Sequence, residues 1–465
     1  MVDQKIFKAY DIRGIYPTQI NEGAMEHIVR GIYSFLATDL GKKKISIVLG
    51  RDMRISSPAL AEIARETFKK CGAEVIDLGL IATPTLYFTV KKYDYDAGIQ
   101  ISASHNPKEY NGVKIVRRDG DRLVKIGKET GMLDIAQRVS ENSFLEYTYD
   151  GTVTDKVDVV STEIAEAIRE IHPGDISKLS LVADPANAMG IIPLQHMFEQ
   201  LEKEIVTINF ELDGTFPAHQ ADPLQHKTLR QLQDKVIETK ADLGICTDGD
   251  ADRAMFIDEK GKIIPATLIT TLIAGEILKD NPGERILVDI RYIRNVEDIV
   301  KQMGGEVGYT HVGHALITAQ VNEEDAIFAG ESSGHYYFRS MGGCESTVRV
   351  ILYVLRVLAR EKRPISQILS SLQTSIESGE TNFELKEGVK TSDVTGQIVT
   401  TYADGELNRL DGIAITYPKW RFSVRSSNTE PVLRLNIEGK TKELVDSKRI
   451  ELTQFILEKG AHIVE

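Results

Sequence analysis

Three aspartates at alternate positions are the sharpest chemical signal in the 465-residue sequence. Asp248, Asp250 and Asp252 stand in the segment DGDADR, directly after an apolar run typical of a buried strand. Carboxylates this close repel one another unless a cation neutralises them, and oxygen ligands suit Mg²⁺ or Ca²⁺. An EF-hand is excluded because Arg253 replaces the required glycine and because a strand, where an EF-hand has a helix, precedes the segment. The segment predicts a metal site, with a solvated acidic turn as the alternative.

A second polar segment, SASHNP, ends another strand pattern at residues 102–107. Serine, asparagine and proline are common turn residues, so an ordinary turn is the simpler interpretation. Phosphoryl transfer, however, needs a nucleophilic oxygen, a divalent cation and fixed positive charge. If this segment lies beside the aspartates, Ser104 is the candidate phosphate carrier, and His105 is a further candidate catalytic residue.

The segment GESSGH at residues 330–335 places a carboxylate, hydroxyls and an imidazole around two glycines. Glu331 and Ser333 are candidates for binding neighbouring hydroxyls of a sugar, although a glycine-rich turn with a surface acid has the same composition. His335 is a candidate proton shuttle because histidine titrates near neutral pH. His314 is a candidate substrate-binding residue. A lone histidine is more commonly structural.

The segment RSSNTEP lies between two strand patterns near the C-terminus. Arg425, the hydroxyls of Ser427 and Thr429 and the amide of Asn428 suit a phosphate dianion. A plain polar turn explains the serine, asparagine and proline but explains the arginine less well.

Further charged and polar side chains stand in distinctive segments. Such residues usually form a solvated surface unless the fold ties them to a site. The candidates for catalysis are Arg13 in FKAYDIRG, Lys114 in NGVKIV and Arg253 in DGDADR, and those for substrate binding are Tyr10 and Arg291.

The elements that must position these segments repeat three times along the chain. Each unit has a short apolar strand, a helix and a second strand that ends in one of the polar segments. The first strands fall at 45–52, 179–186 and 285–292, and the second at 96–101, 242–247 and 325–330. Alternating strands and helices indicate mainly parallel sheets, in which ligands gather at the carboxyl ends of strands. We therefore expect SASHNP, DGDADR and GESSGH at equivalent strand ends.

The C-terminal part follows another pattern. Residues 420–425 and 432–438 alternate apolar and polar side chains, as in a hairpin, and a helix is predicted over 442–458. The predicted fold is α/β, with three related mixed-sheet α/β domains and a C-terminal α+β domain around a central cleft. The predicted domains are 1–149, 150–255, 256–370 and 371–465.

The composition of the chain limits the classes of binding partner and the cellular compartment that we expect. The net charge of −13 argues against binding to nucleic acid or to an anionic membrane surface. No secretion signal and no long apolar run is recognisable, and three scattered cysteines, Cys71, Cys246 and Cys344, suggest no disulfide framework. We expect buried cysteines in a cytoplasmic monomer or homodimer.

Five segments together resemble the α-D-phosphohexomutases over nearly the whole chain: FKAYDIRG, SASHNP, DGDADR, GESSGH and RSSNTEP, in that order. The resemblance implies a phosphoserine at Ser104 and Mg²⁺ held by Asp248, Asp250 and Asp252 together with a phosphoserine oxygen. It also implies that Glu331 and Ser333 bind sugar hydroxyls. The non-transferring phosphate would be held by Arg425, Ser427, Asn428 and Thr429.

Within this family the sequence is most similar to the phosphomannomutase/phosphoglucomutase branch. Asn428 is the discriminating residue, since the phosphoglucosamine branch typically has glycine there. The sequence departs from the branch pattern at Ser102, commonly threonine, at Ser332, commonly methionine, and at Arg291, which is lysine in the dual-specificity enzymes. The alternatives are a phosphoglucosamine mutase, a sugar-phosphate phosphatase and a sugar-phosphate binding protein.

The expected reaction transfers the Ser104 phosphate to carbon 1 or carbon 6 of a hexose monophosphate. The product, a hexose 1,6-bisphosphate, turns around and returns its other phosphate to the serine. Mg²⁺, Arg13, Lys114 and Arg253 are expected to stabilise the transferring group. His335 is the expected proton shuttle, with Lys114 as the rival, and the C-terminal domain is expected to open and close over the cleft.

Overall fold

Four β-sheets, arranged in chain order, form the framework of the described part of the protein. The computed structural model describes residues 2–146, 150–426 and 432–464. Short 3₁₀ helices occur at Gln4–Ile6, Lys128–Thr130, His226–Leu229 and Arg339–Met341.

The first sheet has seven strands in the order β1-β5-β4-β2-β3-β7, with β6 paired to β5. Its elements are β1 Ile12–Ile15, α1 Glu22–Asp39, β2 Ser46–Arg51, α2 Ser57–Lys70, β3 Glu74–Leu80, α3 Thr83–Lys92, β4 Ala97–Ile101, β5 Tyr110–Asp119, β6 Arg122–Lys125, α4 Met132–Glu141 and β7 Thr152–Asp155. Strand β2 runs parallel to β3 and β4, whereas β5 returns antiparallel to β4. The parallel strands are nearly continuous apolar runs because helices cover both faces of the sheet.

The second sheet has the order β12-β11-β10-β8-β9. Its elements are α5 Val159–Ile171, β8 Leu181–Asp184, α6 Ile191–Gln200, β9 Val206–Thr207, α7 Arg230–Thr239, β10 Leu243–Thr247, β11 Ala254–Asp258 and β12 Ile263–Ile264. Strand β11 pairs with β10 along its whole length, so this sheet continues beyond the predicted boundary at residue 255.

The third sheet has the order β14-β13-β15-β16. Its elements are α8 Ala266–Asp280, β13 Arg285–Asp289, α9 Arg294–Gln302, β14 Glu306–Thr310, α10 His314–Glu323, β15 Phe328–Gly330, β16 Tyr336–Phe338, α11 Thr347–Glu361 and α12 Ile365–Leu372. As in the first two sheets, a parallel strand, β15, ends in a polar loop and an antiparallel strand returns beside it.

In the fourth sheet, every pairing between described strands is antiparallel, in the order β19-β20-β21-β22-β18-β23, with β17 paired to β22. Its elements are β17 Ile376–Glu377, β18 Thr381–Leu385, α13 Thr391–Thr401, β19 Glu406–Asn408, β20 Ile413–Thr416, β21 Trp420–Ser426, β22 Val432–Gly439, α14 Lys442–Glu458 and β23 Ala461–Val464. The predicted hairpin strands are β21 and β22, and the predicted terminal helix is α14.

The first three sheets share an apolar core, whereas the fourth sheet has a core of its own. One continuous cluster joins residues of the first three sheets, including Val48, Val182 and Val288, whereas the fourth sheet packs around its own cluster. The fourth sheet docks on the third through buried polar contacts. Arg421 donates to the carbonyls of Ile290 and Arg291. A unit with its own core and a polar docking surface can move more freely than the other three.

Two expectations from composition can be compared with the structure. Cys71, Cys246 and Cys344 are all buried and unpaired by disulfides, as predicted. Across residues 2–146, 150–426 and 432–464, no helix combines the length and the apolarity that crossing a membrane requires.

Candidate active site

Three loops that follow equivalent strands contribute to one cluster of polar side chains. The serine loop (residues 102–109) follows β4, the aspartate loop (residues 248–253) follows β10, and the glutamate loop (residues 331–335) follows β15. Each of these strands is parallel to the first strand of its unit and is followed by an antiparallel strand. The threefold pattern of the sequence therefore corresponds to three equivalent strand ends.

Ser104 lies at the contact between the serine loop and the aspartate loop. Its side-chain hydroxyl donates a 2.9 Å hydrogen bond to Oδ2 of Asp248, and the residue is 3% exposed. Its φ of 51° lies in the left-handed region, which is uncommon for residues other than glycine, and such backbone strain is concentrated at functional sites. Gly249 allows the close approach of the loops, because a Cβ there would stand 2.2 Å from the Ser104 carbonyl oxygen.

Arg54 is fully buried and binds the backbone of the serine loop. Its Nε donates to Asp52 at 3.2 Å. Its four other N–H groups donate at 2.6–3.0 Å to the carbonyl oxygens of Ser104, Asn106, Pro107 and Tyr110. All five guanidinium donors are thus used, and four of them fix the backbone around Ser104.

The aspartate loop forms a buried cluster of hard ligands. Asp248, Asp250 and Asp252 each offer an oxygen, and these oxygens lie within 4.8 Å of one another. Oδ1 of Asp250 is buried without a hydrogen-bond partner among the described residues. On the other oxygen, Thr83 and Lys114 each donate at 2.5 Å. An unpartnered carboxylate oxygen in a group of three fits a divalent cation with oxygen ligands.

The electrostatics of the cluster keep Lys114 charged. Burial lowers the pKa of an ammonium, but Asp250 and Asp252 outweigh this effect and raise the pKa of Lys114. Burial also raises the pKa of Asp248, and repulsion from Asp252 and Asp250 adds to the increase. For Asp252, burial opposes ionisation, yet Lys114 and His335 hold the pKa well below its usual range.

His335 connects the aspartate loop to the glutamate loop. Its Nε2 lies 3.3 Å from Oδ1 of Asp252, and its Nδ1 lies 3.1 Å from Oε2 of Glu331 and 2.8 Å from the Ser333 hydroxyl. Burial is the largest single influence and lowers the pKa of His335, but Asp252 and Glu331 together outweigh it and raise the pKa to about 9. The pKa of Glu331 is lowered because His335 and Arg291 outweigh burial. The raised pKa favours the protonated imidazole of His335 near neutral pH.

Arg291 approaches the glutamate loop from the end of β13. It binds Asp289 through Nε at 2.9 Å and Nη2 at 3.2 Å, and Nη2 also lies 3.2 Å from Glu331. Ser332 donates its hydroxyl to the same aspartate at 2.6 Å. Two of the three unusual residues noted in the sequence, Arg291 and Ser332, thus meet on the carboxylate of Asp289.

His105 lies beside Ser104, and Arg253 lies beside Asp248, the residue that accepts from the Ser104 hydroxyl. Nδ1 of His105 lies 3.2 Å from the Ser104 hydroxyl oxygen. Burial and the charges of Arg253 and Arg13 lower the pKa of His105 well below its ordinary value, so this ring is neutral. Arg253 lies 3.9 Å from Asp248 and 3.7 Å from Asp222.

Tyr10 and Arg13 reach the cluster from the N-terminal segment. Arg13 pairs with Asp11 and donates to Asn106 of the serine loop. The ring of Tyr10 lies 5.3 Å from that of His314, which in turn lies 6.3 Å from that of His335.

Arg425 lies on the fourth sheet, where its Nε donates to Asp411 at 3.1 Å. The same carboxylate oxygen accepts from the backbone N–H of Val312, two residues before His314. The structure thus brings Arg425 to the third sheet, and among the described residues Arg425 makes no direct contact with the cluster around Ser104. Ser427, Asn428 and Thr429 lie outside the described residues.

Sequence reasoning missed several residues that position the cluster: Asp52, Arg54, Thr83, Asp222 and Asp411. Arg54 carried a usable signal, because GRDMR ends the first strand of a unit, at the edge where polar side chains were expected. Thr83 and Asp411 carried no signal, since an ordinary threonine and aspartate acquire their roles only through contacts between distant segments.

Comparisons with known proteins place this geometry in a family. The four domain descriptions of the phosphoglucomutase/phosphomannomutase family match in order: alpha/beta/alpha domain I at residues 4–146, domain II at 162–261, domain III at 267–375 and the C-terminal domain at 376–452. The chain is 33% identical to a phosphomannomutase of Vibrio cholerae, over 98% of this chain and 99% of the relative. The chain belongs to the phosphoglucomutase/phosphomannomutase family.

Two further comparisons agree with this membership. The chain is 33% identical to a phosphomannomutase of Escherichia coli K12, over 93% of this chain and 94% of the relative. A solved phosphoglucomutase/phosphomannomutase family protein from Burkholderia thailandensis matches with a TM-score of 0.88 and 29% identity over 100% of both chains. The chain is a phosphohexomutase, an isomerase, and the resemblance seen in its five motifs is confirmed.

Proposed function

We propose that this phosphohexomutase interconverts the 1-phosphates and 6-phosphates of mannose and glucose through a phosphoserine at Ser104. The observation that carries the proposal is the position of the Ser104 hydroxyl, 2.9 Å from Asp248 in a cluster that also contains Lys114 and Arg253. A protein that only binds sugar phosphates has no need for a nucleophile among metal ligands and fixed cations.

Asp248, Asp250 and Asp252 would hold Mg²⁺, together with a phosphate oxygen on Ser104. The bound cation would neutralise charge on the transferring phosphoryl group. Support comes from the donor set, which is entirely oxygen, and from the unpartnered Oδ1 of Asp250 within the described part of the chain. Arg13, Lys114 and Arg253 supply the fixed positive charge around the same group.

The two histidines of the cluster have opposite protonation preferences, which suits an acid and a base. When phosphate returns to the enzyme, the bond between Ser104 Oγ and phosphorus forms as the bond between phosphorus and the sugar oxygen breaks. Neutral His105, 3.2 Å from the hydroxyl, takes the serine proton, and protonated His335 gives its proton to the departing sugar oxygen. The opposite half-reaction reverses both transfers. Lys114 is a weaker candidate because its raised pKa keeps it protonated.

Glu331 and Ser333 would bind the hydroxyls at carbons 3 and 4 of the sugar, with Tyr10, Arg291 and His314 as further substrate-binding residues. Ionised Glu331 is an acceptor, since its pKa is lowered. Recognition limited to these hydroxyls would tolerate both configurations at carbon 2, where mannose and glucose differ. This tolerance supports activity on both sugars.

Arg425, with Ser427, Asn428 and Thr429, would hold the phosphate that is not being transferred. A hexose 1,6-bisphosphate, the intermediate and activator, must turn around before its second phosphate reaches Ser104. The fourth sheet has its own apolar core, so movement of this unit would let the bisphosphate turn without dissociation. Solution scattering that shows no compaction on adding glucose 1,6-bisphosphate would count against this step.

Phosphorus NMR tests the whole proposal. The protein, with Mg²⁺ and a trace of glucose 1,6-bisphosphate, is incubated separately with mannose 1-phosphate, glucose 1-phosphate and glucosamine 1-phosphate. We expect the 6-phosphates of mannose and glucose to appear faster than glucosamine 6-phosphate. Faster conversion of the glucosamine compound would overturn the sugar assignment. Release of inorganic phosphate alone would indicate a phosphatase, and no conversion in any tube would indicate a binding protein.

A cytoplasmic location is part of the proposal. The three cysteines are buried free thiols, which is the state expected in a reducing compartment. Cell fractionation with an antibody to the protein checks this location.

A further inference from the structure

A buried ion pair between the first and third sheets lies behind His314. Lys125 is the last residue of β6, and Glu345 lies two residues before α11. The lysine ammonium binds both carboxylate oxygens of Glu345, and the two side chains are 3% and 0% exposed. Neither residue was assigned a role in the candidate site, although a carboxylate oxygen of Glu345 lies within 4.8 Å of ligand atoms of Asp252 and His335. A buried pair of this kind costs desolvation energy, so its position calls for a role other than stability alone.

Lys125 also contacts the imidazole of His314. Its ammonium lies 3.4 Å from Nδ1 of that ring. A lysine ammonium has donors but no acceptor, so Nδ1 must accept the hydrogen bond. A neutral imidazole that accepts at Nδ1 carries its proton at Nε2. Burial, reinforced by the charges of Lys125 and Lys114, lowers the pKa of His314 well below its ordinary value, which favours the neutral ring.

The position of Lys125 is constrained from several sides. Besides Glu345 and His314, its ammonium lies 4.9 Å from the ring centroid of Tyr87 and 5.7 Å from that of Tyr337. Aromatic faces attract a cation at these distances. The ammonium therefore has little freedom to leave Nδ1.

The other ring nitrogen of His314 is left for a ligand. Its Nε2 has no hydrogen-bond partner in the part of the chain that the structure describes, and the residue is only partly buried. The ring lies beside Tyr10 and His335, at the candidate site. An N–H group at this position can donate to an oxygen of a bound hexose phosphate.

We propose that Lys125, held in place by Glu345, is a positioning residue that fixes His314 in its neutral Nε2–H tautomer, so that His314 donates a hydrogen bond to the bound hexose phosphate. The inference rests on the proposed function only for the identity of that ligand. It assigns His314 a donor role and excludes it as the general base of the reaction.

The first test measures the tautomer and needs no substrate. The full chain is labelled with ¹⁵N-histidine, and long-range ¹H–¹⁵N correlation spectra are assigned with His314→Gln. We expect protonated Nε2 and unprotonated Nδ1 in the unchanged protein. Lys125→Met alone would leave a buried carboxylate unpaired and can prevent folding, so the test variant is Lys125→Met with Glu345→Gln, which removes both charges.

The double variant should show a mixture of the two His314 tautomers, and Lys125→Arg, which retains a donor, should restore the Nε2–H form. Lys128→Met is the matched control, since Lys128 is an exposed lysine three residues further along the chain. An unchanged His314 spectrum in the double variant would overturn the inference. A protonated Nδ1 in the unchanged protein would overturn it as well.

The second test measures kinetics on the preferred hexose 1-phosphate. Loss of one hydrogen bond to a charged oxygen should lower kcat/KM about tenfold in the double variant. In a His314→Gln background the same pair of changes should cause no further loss, because Lys125 acts through His314. Losses that multiply would overturn the inference. If the protein without substitutions has no mutase activity, the proposed function is contradicted. The tautomer spectra would still decide the role of Lys125 in that case.

Discussion

Oγ of Ser104 and Oδ2 of Asp248 lie 2.9 Å apart, although 144 residues separate them in the sequence. The two residues follow strands of different sheets, β4 and β10, so the contact joins the first two units of the chain. It places a nucleophilic hydroxyl at the edge of a group of metal-binding carboxylates. The absence of a side chain at Gly249 is needed for this approach, because a Cβ there would stand 2.2 Å from the Ser104 carbonyl oxygen.

Replacing Ser104 with alanine should lower the kcat of the mutase reaction by at least about 10⁴-fold, because the phosphate carrier is lost. Incubation with glucose 1,6-bisphosphate, followed by intact-protein mass spectrometry, should add one phosphate to the unchanged protein and none to the variant. Ser102→Ala is the matched control in the same loop and should still be phosphorylated. Full turnover by Ser104→Ala would remove the serine from the mechanism.

Thr83 should control the affinity for Mg²⁺ although it is not itself a metal ligand. Its hydroxyl donates to Asp250 at 2.5 Å and so orients that carboxylate. Loss of a partner that orients a ligand typically weakens metal binding by about 10–100-fold, and we expect this range for Thr83→Val. Isothermal titration with Mg²⁺ measures the change.

The control for this change is Thr89→Val, on the same helix α3, whose hydroxyl donates only to the Thr85 carbonyl among the described residues. Its Mg²⁺ affinity should equal that of the unchanged protein. Equal affinities for Thr83→Val and Thr89→Val would show that Asp250 needs no help from Thr83.

Arg54→Lys should damage both stability and catalysis while leaving the positive charge in place. Lysine has three donors on one nitrogen and cannot reproduce the planar guanidinium that serves Asp52 and four carbonyls. Buried acceptors would be left unpaired, and we expect the free energy of unfolding to fall by about 2–4 kcal/mol. Urea unfolding measures this loss.

Turnover at a temperature where the Arg54→Lys variant remains folded should fall at least about tenfold, because the backbone around Ser104 is no longer held. Arg51→Lys is the control, since Arg51 is only partly buried and, among the described residues, its side chain donates to a single carbonyl, that of Asp52. Unchanged kcat in the folded Arg54→Lys protein would limit Arg54 to a role in stability.

Much of the fold could be predicted from the sequence because its signals are local. Strand and helix patterns repeat three times, and the positions of SASHNP, DGDADR and GESSGH at strand ends follow from the geometry of parallel sheets. The bounds of α14 and the burial of Trp420, Phe422 and Val424 also follow from simple periodicity.

The contacts that tune the site could not be predicted, because they join segments that are far apart in the chain. Lys125 meets Glu345 across 220 residues, and Thr83 meets Asp250 across 167. Neither lysine nor threonine stands out in its own segment. The protonation states of His105 and His335 cannot be predicted from the sequence either, since they depend on the charges that the fold assembles around each ring. The sequence identifies His105 and His335 as candidates, but the proposal of which is the acid and which the base depends on their surroundings in the folded site.

Glu163 should make stability depend on pH in a direction opposite to that of most carboxylates. It is fully buried on α5 and accepts from Thr85 of α3 at 2.6 Å, at the contact between the first two units. Burial raises its pKa, although the hydrogen bond from Thr85 opposes the increase. The folded state therefore binds this proton more tightly than the unfolded chain does, and unfolding releases it.

The contribution of Glu163 to stability is fully present below its ordinary pKa of 4.5 and is lost as pH rises through the higher pKa of the folded state. Glu163→Gln should then raise the melting temperature at pH 8 relative to the unchanged protein, with a smaller difference at pH 5. Calorimetry at several pH values measures both. Glu166→Gln, one turn later on α5 and less buried, is the control and should show no such gain, because it loses an ion pair with Lys92. A Glu163→Gln protein that is less stable than the unchanged protein at pH 8 would mean that the buried carboxylate is stabilising in its ionised form.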